Sequence, residues 1–176
     1  VLEETSQGDM VVDVYQRLAN DRVLFIHDYI DDKLACDICS TLLLKNAENK
    51  KEKVTLFVNA ESGDIRSVFM IYDMMNVVNT PIETICAGSA WDEALLILAA
   101  GTKGKRKIGK HCRVMMHSVI GGNSGPIFNL ENEMSEIRAT QERYIAALKA
   151  ETKMSVKQIN NFFIVCHPSS TVLLQL

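Results

Sequence analysis

Two points in the sequence place small and polar residues where a strand is expected to give way to a helix. At the second of these points, residues 86–93 offer Ser89, Asp92 and Glu93 as chemical groups, and His117 follows a later strand. Enzymes with α/β folds hold nucleophiles at such turns, so Ser89 or Asp92 beside His117 could form a hydrolytic pair. The alternative is that Ser89 and Asp92 only cap the following helix with their side-chain oxygens.

The first of these points, residues 59–64, has the sequence Asn-Ala-Glu-Ser-Gly-Asp. A turn of small residues such as Ser62 and Gly63 leaves backbone N–H groups at the start of a helix free to face an anion. The sequence therefore predicts a turn that can bind an anion.

Cys36 and Cys39 form a CxxC pair, a spacing found in redox and metal sites. The surrounding residues have a helical period that places Leu34, Ile38 and Leu42 on one face. A zinc site needs a second pair of ligands, and the sequence has none at a suitable spacing. We therefore expect the two cysteines to pack in the core, and we predict neither a metal nor a cofactor.

The sequence also contains a basic cluster and several isolated histidines. Because no aromatic residues alternate with the basic ones, we expect a solvated or interfacial loop and not a nucleic-acid surface. We expect ordinary packing or solvated roles for the isolated histidines. The cluster comprises Lys103, Lys105, Arg106, Lys107 and Lys110, and the histidines are His27, His111 and His167.

The elements that would position these residues alternate between strand and helix. Continuous apolar runs predict buried strands, and apolar residues at helical spacing predict amphipathic helices. This alternation predicts an α/β fold with a largely parallel sheet. The predicted strands cover 22–26, 54–59, 82–87 and 113–117, and the predicted helices cover 15–20, 32–47, 65–78, 89–100 and 127–150.

Length and composition limit the class of protein. The 176 residues fit a single domain over 1–176, and 19 Lys+Arg against 22 Asp+Glu give a net charge of −3, which excludes a basic nucleic-acid-binding domain. The longest apolar run, 94–100, is far shorter than the roughly 18–20 residues of a membrane span. Glu3, Glu4 and Asp9 argue against a signal peptide, and five cysteines, an odd number, favour a reducing compartment.

Several blocks of the sequence, in order and in register, resemble the ClpP family, the ring-forming serine peptidases of AAA+ protease machines. The resemblance implies one ClpP/crotonase-like head domain of ββα superhelical units, with an axial N-terminal segment over about 1–20. It also implies a protruding handle helix within about 118–150. The blocks that carry the resemblance are 13–18 (DVYQRL), 22–26 (RVLFI), 47–49 (AEN), 71–73 (IYD), 98–106 (LAAGTKGKR) and 113–117 (RVMMH), followed by 121–122 (GG).

The departures from the ClpP family fall on its catalytic residues. The resemblance places Asp92 where the family has its nucleophilic serine, keeps the base as His117, and places Cys166 at the position of the acid. Two of the three triad positions are therefore altered. We expect Asp92 to accept a hydrogen bond from His117 or Arg113 instead of attacking a substrate.

The oxyanion hole that the resemblance implies is altered as well. Ser62 and Gly63 occupy a turn that gains a carboxylate, and Glu93 supplies the second donor position. An aspartate at position 92 has no hydroxyl proton for a histidine to remove, and its negative charge opposes the oxyanion of acyl transfer. The sequence therefore predicts a degenerate site without serine peptidase activity.

Noncatalytic ClpP-like subunits form the ClpR subclass of plastids, related organelles and cyanobacteria, and the resemblance implies a structural or regulatory ring subunit of this type. Its partners would be copies of itself in a homo-heptamer, active ClpP subunits in a mixed ring, and an AAA+ Clp ATPase. Its location would be the stroma of a chloroplast or apicoplast, or alternatively the cytoplasm of a cyanobacterium. Ile164 and Val165 stand where the family joins its rings through an arginine, so a single ring is an alternative to a double one.

Two other functions stay open at this stage. One is a residual or altered hydrolase. The other is a crotonase-like acyl-CoA enzyme, in which the turn at Ser62 and Gly63 would bind a thioester oxyanion and Glu93 or Asp92 would act as the base.

Overall fold

A parallel β-sheet flanked by helices forms the body of the molecule. The computed structural model describes the backbone of residues 1–5, 8–117 and 124–164, and the side chains of residues 1, 11–117 and 124–161. Cys166, Val165, His167 and the glycine pair 121–122 lie outside these ranges. The elements are β1 (Leu2–Thr5), β2 (Gly8–Val11), α1 (Val14–Asn20), β3 (Val23–Ile30), α2 (Asp32–Glu48), β4 (Val54–Gly63), α3 (Ile65–Val77), β5 (Ile82–Trp91), α4 (Glu93–Ala99), β6 (Arg106–Ile108), β7 (Arg113–Met115), α5 (Ile127–Glu151) and α6 (Val156–Ile164).

The sheet has the strand order β3-β4-β5-β6, and β7 also pairs with β5. Every pairing in this sheet is parallel, as the alternation of strands and helices predicted. The long strand β5 has two successive neighbours on one edge: β6 pairs with Thr84–Cys86 and β7 pairs with Ser89–Trp91. The carboxyl end of β5 is therefore held by a strand that comes some 25 residues later in the chain.

The core lies between the sheet and a layer of helices. Val54, Leu56 and Val58 of β4 are fully buried on one face, whereas Thr55 and Phe57 on the other face are half-buried. Helix α4 packs on β4 and β5, and α3 packs on α4 and α2. Every residue of α4 from 94 to 99 is buried, which is typical of a central helix that is apolar on all sides. This packing fixes the turn between β5 and α4.

Aspartates begin three of the helices in the expected way. Asp13, Asp31 and Asp64 are the N-cap residues of α1, α2 and α3, and each carboxylate accepts a backbone N–H of the first helical turn. Such caps stabilise a helix by about 0.5–2 kcal/mol because they satisfy N–H groups that have no partner within the helix.

Helix α5 projects from the head over much of its length. Its only buried residues are Tyr144 and Leu148, while Ile127 and Phe128 at its start are more than two-thirds exposed. Its C-terminal end is tied to the head by Arg106, whose side chain is 3% exposed and whose Nη2 lies 3.0 Å from Glu151 Oε2. No helix in the described part of the chain is long and apolar enough to cross a membrane.

The structure corrects several expectations from the sequence. The predicted helix 89–100 begins only at Glu93, because Ser89–Trp91 continue β5 and pair with β7. The hairpin of β1 and β2, strand β6 and helix α6 were not predicted. The CxxC pair does not pack in the core as a unit: Cys39 is buried but Cys36 is exposed. The basic cluster, expected to be a solvated or interfacial loop, is in part strand β6, and the side chain of Arg106 is buried.

Candidate functional site

The candidate site is built around the turn from β5 to α4. Asp92 occupies this turn with φ 46° and ψ −111°, a backbone conformation that residues other than glycine rarely adopt. Its backbone N–H donates to Met115 O at 2.9 Å, and its carbonyl accepts from Leu95 N at 3.1 Å and from the Tyr144 hydroxyl at 2.5 Å. These contacts hold the strained residue in place. A sharp strand-to-helix turn of this kind is how hydrolases present a nucleophile.

The side chain of Asp92 contacts His117 and does not cap α4. Oδ2 of Asp92 lies 3.0 Å from Nδ1 of His117, and Oδ1 accepts the His117 backbone N–H. Asp92 makes no side-chain cap bond, in contrast to Asp13, Asp31 and Asp64. The alternative that Asp92 caps the helix is therefore wrong, whereas the expected hydrogen bond between Asp92 and His117 is present.

The orientation of His117 matters for chemistry. In a Ser-His-Asp triad the acid contacts Nδ1 of the histidine, and the nucleophile contacts Nε2. Asp92 occupies the turn of a nucleophile but contacts the nitrogen that normally faces the acid. The pair can orient the imidazole, but it places no hydroxyl on the base.

Glu93, the residue after the turn, brings a second carboxyl group to the site. Burial raises the pKa of Glu93, the charge of Asp92 raises it further, and hydrogen bonds from the backbone N–H groups of Glu93 itself and Gly63 oppose the shift. Gly63 is packed so tightly on β3 that a Cβ there would lie 2.7 Å from Cβ of Ile30. In the turn predicted to bind an anion, the Gly63 N–H thus acts on the pKa of a carboxyl group of the protein itself.

Ser89 lies in β5 and faces away from the Asp92–His117 pair. Its backbone N–H donates to Asn59 Oδ1 at 3.0 Å, and its hydroxyl donates to Glu61 Oε1 at 3.1 Å. The alternative that Ser89 caps α4 is therefore wrong. Its hydrogen bonds join β5 to β4 and do not involve His117. Gly88 beside it has φ 121°, and a Cβ there would lie 2.2 Å from Asn59 Oδ1.

A cavity of about 390 Å³ lies at this end of the sheet, between the ends of β3, β4 and β5. Asp28 and Glu61 give it an acidic lining, while Asp92 and His117 do not line it. Among the described residues, no group of three or more His, Cys, Asp or Glu side chains could hold a metal ion. The residues that line the cavity are Asp28, Asn59, Ala60, Glu61, Ser62 and Ser89.

Tyr144 is a site residue that the sequence analysis missed. It lies on the buried side of α5 and is 3% exposed. Its hydroxyl donates to the carbonyl of Asp92. Burial, followed by the charges of Asp92 and Glu93, raises its pKa well above 10. Periodicity identifies the buried face of a helix but not the distant acceptor that a tyrosine on that face will find.

The structure thus brings Asp92, His117 and Glu93 together, with Gly63 at the adjacent turn, while Cys166 lies outside the described residues. The parallel α/β sheet, with a strained turn after β5 and a histidine after β7, is consistent with the ClpP-like fold. A family model described as Clp protease matches residues 6–163, and the chain belongs to the Clp protease family.

Proposed function

We propose that this chain is a noncatalytic subunit of a Clp protease complex, of the ClpR type, with a structural or regulatory role in forming the proteolytic chamber. The observation that carries the proposal is the contact between Asp92 and His117. The residue at the nucleophile's turn is an aspartate, and its carboxylate is hydrogen-bonded to the histidine that would act as base.

The chemistry of peptide hydrolysis supports an inactive site. The base must remove a proton from a nucleophile, and the substrate carbonyl must develop negative charge next to backbone N–H groups. Asp92 offers no hydroxyl, and the carboxyl groups of Asp92 and Glu93, both at the start of α4, would oppose negative charge that forms beside this turn. Removing the serine of a triad alone lowers turnover by about 10⁶.

A role in ring assembly fits the surface of the protomer. The first part of α5 carries exposed apolar side chains, among them Ile127, Phe128 and Met134, that the head does not cover. A helix with such a face needs another surface to bury it. We propose that copies of this chain, active ClpP subunits or both supply that surface within heptameric rings, and that an AAA+ Clp ATPase docks on the assembly.

The location belongs to the same proposal. Noncatalytic relatives of ClpP work in the stroma of chloroplasts and apicoplasts or in the cytoplasm of cyanobacteria, and we propose one of these compartments for this chain. Tagging the protein in its own cells and following it by microscopy tests this part.

Two measurements test the function. Native mass measurement of the purified chain, alone and after mixing with active ClpP, is expected to show heptameric or mixed rings; monomer in both samples would contradict the ring role. Fluorogenic peptides and acyl-CoA esters are expected to be turned over no faster by the wild type than by His117→Ala. Turnover that His117→Ala abolishes would instead support the altered hydrolase or the crotonase-like enzyme.

A further inference from the structure

Two cysteines are neighbours where the partner of β5 changes from β6 to β7. The pairing with β6 ends at Cys86, and the pairing with β7 begins at Ser89, so the backbone of β5 has a gap in its ladder between them. Cys112, which directly precedes β7, fills this gap with its sulfur. Its Sγ donates to Cys86 O at 3.0 Å and accepts the N–H of Gly88, also at 3.0 Å.

Gly109 packs against both cysteines. Gly109 donates its N–H to Cys86 O at 3.0 Å, and a Cβ on Gly109 would lie 2.8 Å from Cys112 Sγ. Burial, followed by the neighbouring Cys112 thiol, raises the pKa of the Cys86 thiol to about 12. Cys86 is fully buried, whereas Cys112 is partly exposed. Cys112 is thus the more accessible of the two cysteines.

We propose that Cys86 and Cys112 are an oxidative modification site, at which a peroxide converts the two thiols into a reversible intramolecular disulfide. The proposal rests on the position of the Cys112 sulfur against the backbone of Cys86, 3.0 Å from its carbonyl oxygen, and is independent of whether the subunit hydrolyses peptides.

The chemistry balances with hydrogen peroxide as the two-electron oxidant. The sulfur of Cys112 attacks one peroxide oxygen, the O–O bond breaks, and water leaves after proton transfer, so that Cys112 becomes a sulfenic acid. The sulfur of Cys86 then attacks the oxidised sulfur, the S–O bond breaks, and a second water leaves. Two thiols and one peroxide thereby give one disulfide and two waters.

The disulfide is expected to change hydrogen bonding in β5 close to the candidate site. Oxidation draws the Cys112 sulfur away from Gly88, whose N–H then loses its acceptor. Gly88 packs against the Asn59 side chain, which in turn holds the backbone of Ser89. We therefore expect faster amide exchange at Gly88 in the oxidised protein.

Peptide mapping of the full-length protein tests the proposal. The folded chain is treated with hydrogen peroxide, its remaining thiols are alkylated, and it is digested with trypsin. Cleavage after Arg66 and Lys103 leaves Cys86 in peptide 67–103, and cleavage after Lys110 and Arg113 leaves Cys112 in peptide 111–113. We expect these two peptides to be joined in a species that dithiothreitol separates, with the loss of two alkylation sites.

Two single variants serve as controls. Cys112→Ser keeps an oxygen that can accept the Gly88 N–H but is expected to abolish the link, and Cys36→Ser is expected to leave it unchanged. An unlinked peptide 111–113 carrying a sulfinic acid, with Cys86 still open to alkylation after unfolding, would overturn the proposal. So would a disulfide from Cys112 to any cysteine other than Cys86.

Discussion

The carboxylate of Asp92 makes two hydrogen bonds to His117: Oδ2 lies 3.0 Å from the ring Nδ1, and Oδ1 accepts the backbone N–H. In an active triad the nucleophilic hydroxyl contacts Nε2 of the histidine, and a separate acid contacts Nδ1. Here the residue at the nucleophile's turn makes the contact of the acid. The contact joins the end of β5 to the chain that follows β7, and it has measurable consequences for stability.

Asp92→Ala should destabilise the fold. The substitution removes both hydrogen bonds to His117 but leaves the strained backbone, so we expect the free energy of unfolding to fall by about 1–3 kcal/mol. Urea unfolding followed by circular dichroism measures the change.

The control for Asp92→Ala is Asp92→Gly, which also removes the carboxylate. Glycine adopts φ 46° with little strain, so this variant should be more stable than Asp92→Ala by about 1 kcal/mol. If Asp92→Ala were more stable than Asp92→Gly, the result would contradict a strained backbone at residue 92.

Tyr144→Phe should weaken the tie between α5 and the β5–α4 turn. The variant loses the hydroxyl that donates to Asp92 O, while that carbonyl keeps its bond from Leu95 N. We therefore expect a loss of about 0.5–1.5 kcal/mol in the same unfolding experiment. Tyr29→Phe is the matched control, because Tyr29 is 56% exposed, and it should be neutral. Equal effects of the two variants would contradict the role of Tyr144.

Glu93→Gln should stabilise the protein at neutral pH. Burial raises the pKa of Glu93 in the folded state above its ordinary value of 4.5, so the wild type loses stability as the pH rises through that value toward the folded pKa. Glutamine keeps an oxygen for the Gly63 N–H and carries no charge. Unfolding midpoints at pH 7 should favour Glu93→Gln, and this advantage should disappear below pH 4.5. A variant less stable than the wild type at pH 7 would contradict the buried carboxyl.

Glu83→Gln should destabilise the protein at neutral pH, in contrast to Glu93→Gln. Hydrogen-bonded ion pairs with Lys107 at 2.8 Å and Lys53 at 2.7 Å lower the pKa of Glu83 to about 2. The stability from these ion pairs is complete above the ordinary pKa of 4.5 and is lost as the pH falls toward 2.

The test compares unfolding midpoints of Glu83→Gln and wild type at pH 7 and pH 3. The deficit of the variant should be larger at pH 7, and Glu131→Gln, on the solvent side of α5, should show no such dependence. A deficit that grows in acid would show that the ion pairs do not hold the carboxylate in its charged form.

Local signals predicted much of the fold. Apolar runs marked the cores of β3, β4 and β5, and Asp31 and Asp64 precede helices at the position where a carboxylate caps free N–H groups. Polar residues at 89 and 92 carry the same local signal, yet neither caps a helix. Pairing with β7 extends β5 to Trp91, and no local pattern contains that pairing.

The candidate site was predictable only in part for the same reason. The strand-to-helix turn and the later histidine could be recognised from residue types, and the resemblance to the ClpP family placed Asp92 and His117 near one another. Two contacts across the fold had no local signal: the Tyr144 hydroxyl donates to Asp92 O, and the Cys112 sulfur fills the gap beside β5. Contacts between distant segments depend on the assembled sheet and helices, which composition and periodicity do not specify.

The most direct test of the noncatalytic site is labelling with a fluorophosphonate, which reacts covalently with the activated serine of serine hydrolases. The chain is mixed with active ClpP, the mixture is treated with the probe, and the labelled peptides are located by mass spectrometry. We expect label on the active subunit in the same sample and none on any serine of this chain. Label on a serine of this chain that disappears in His117→Ala would contradict the account.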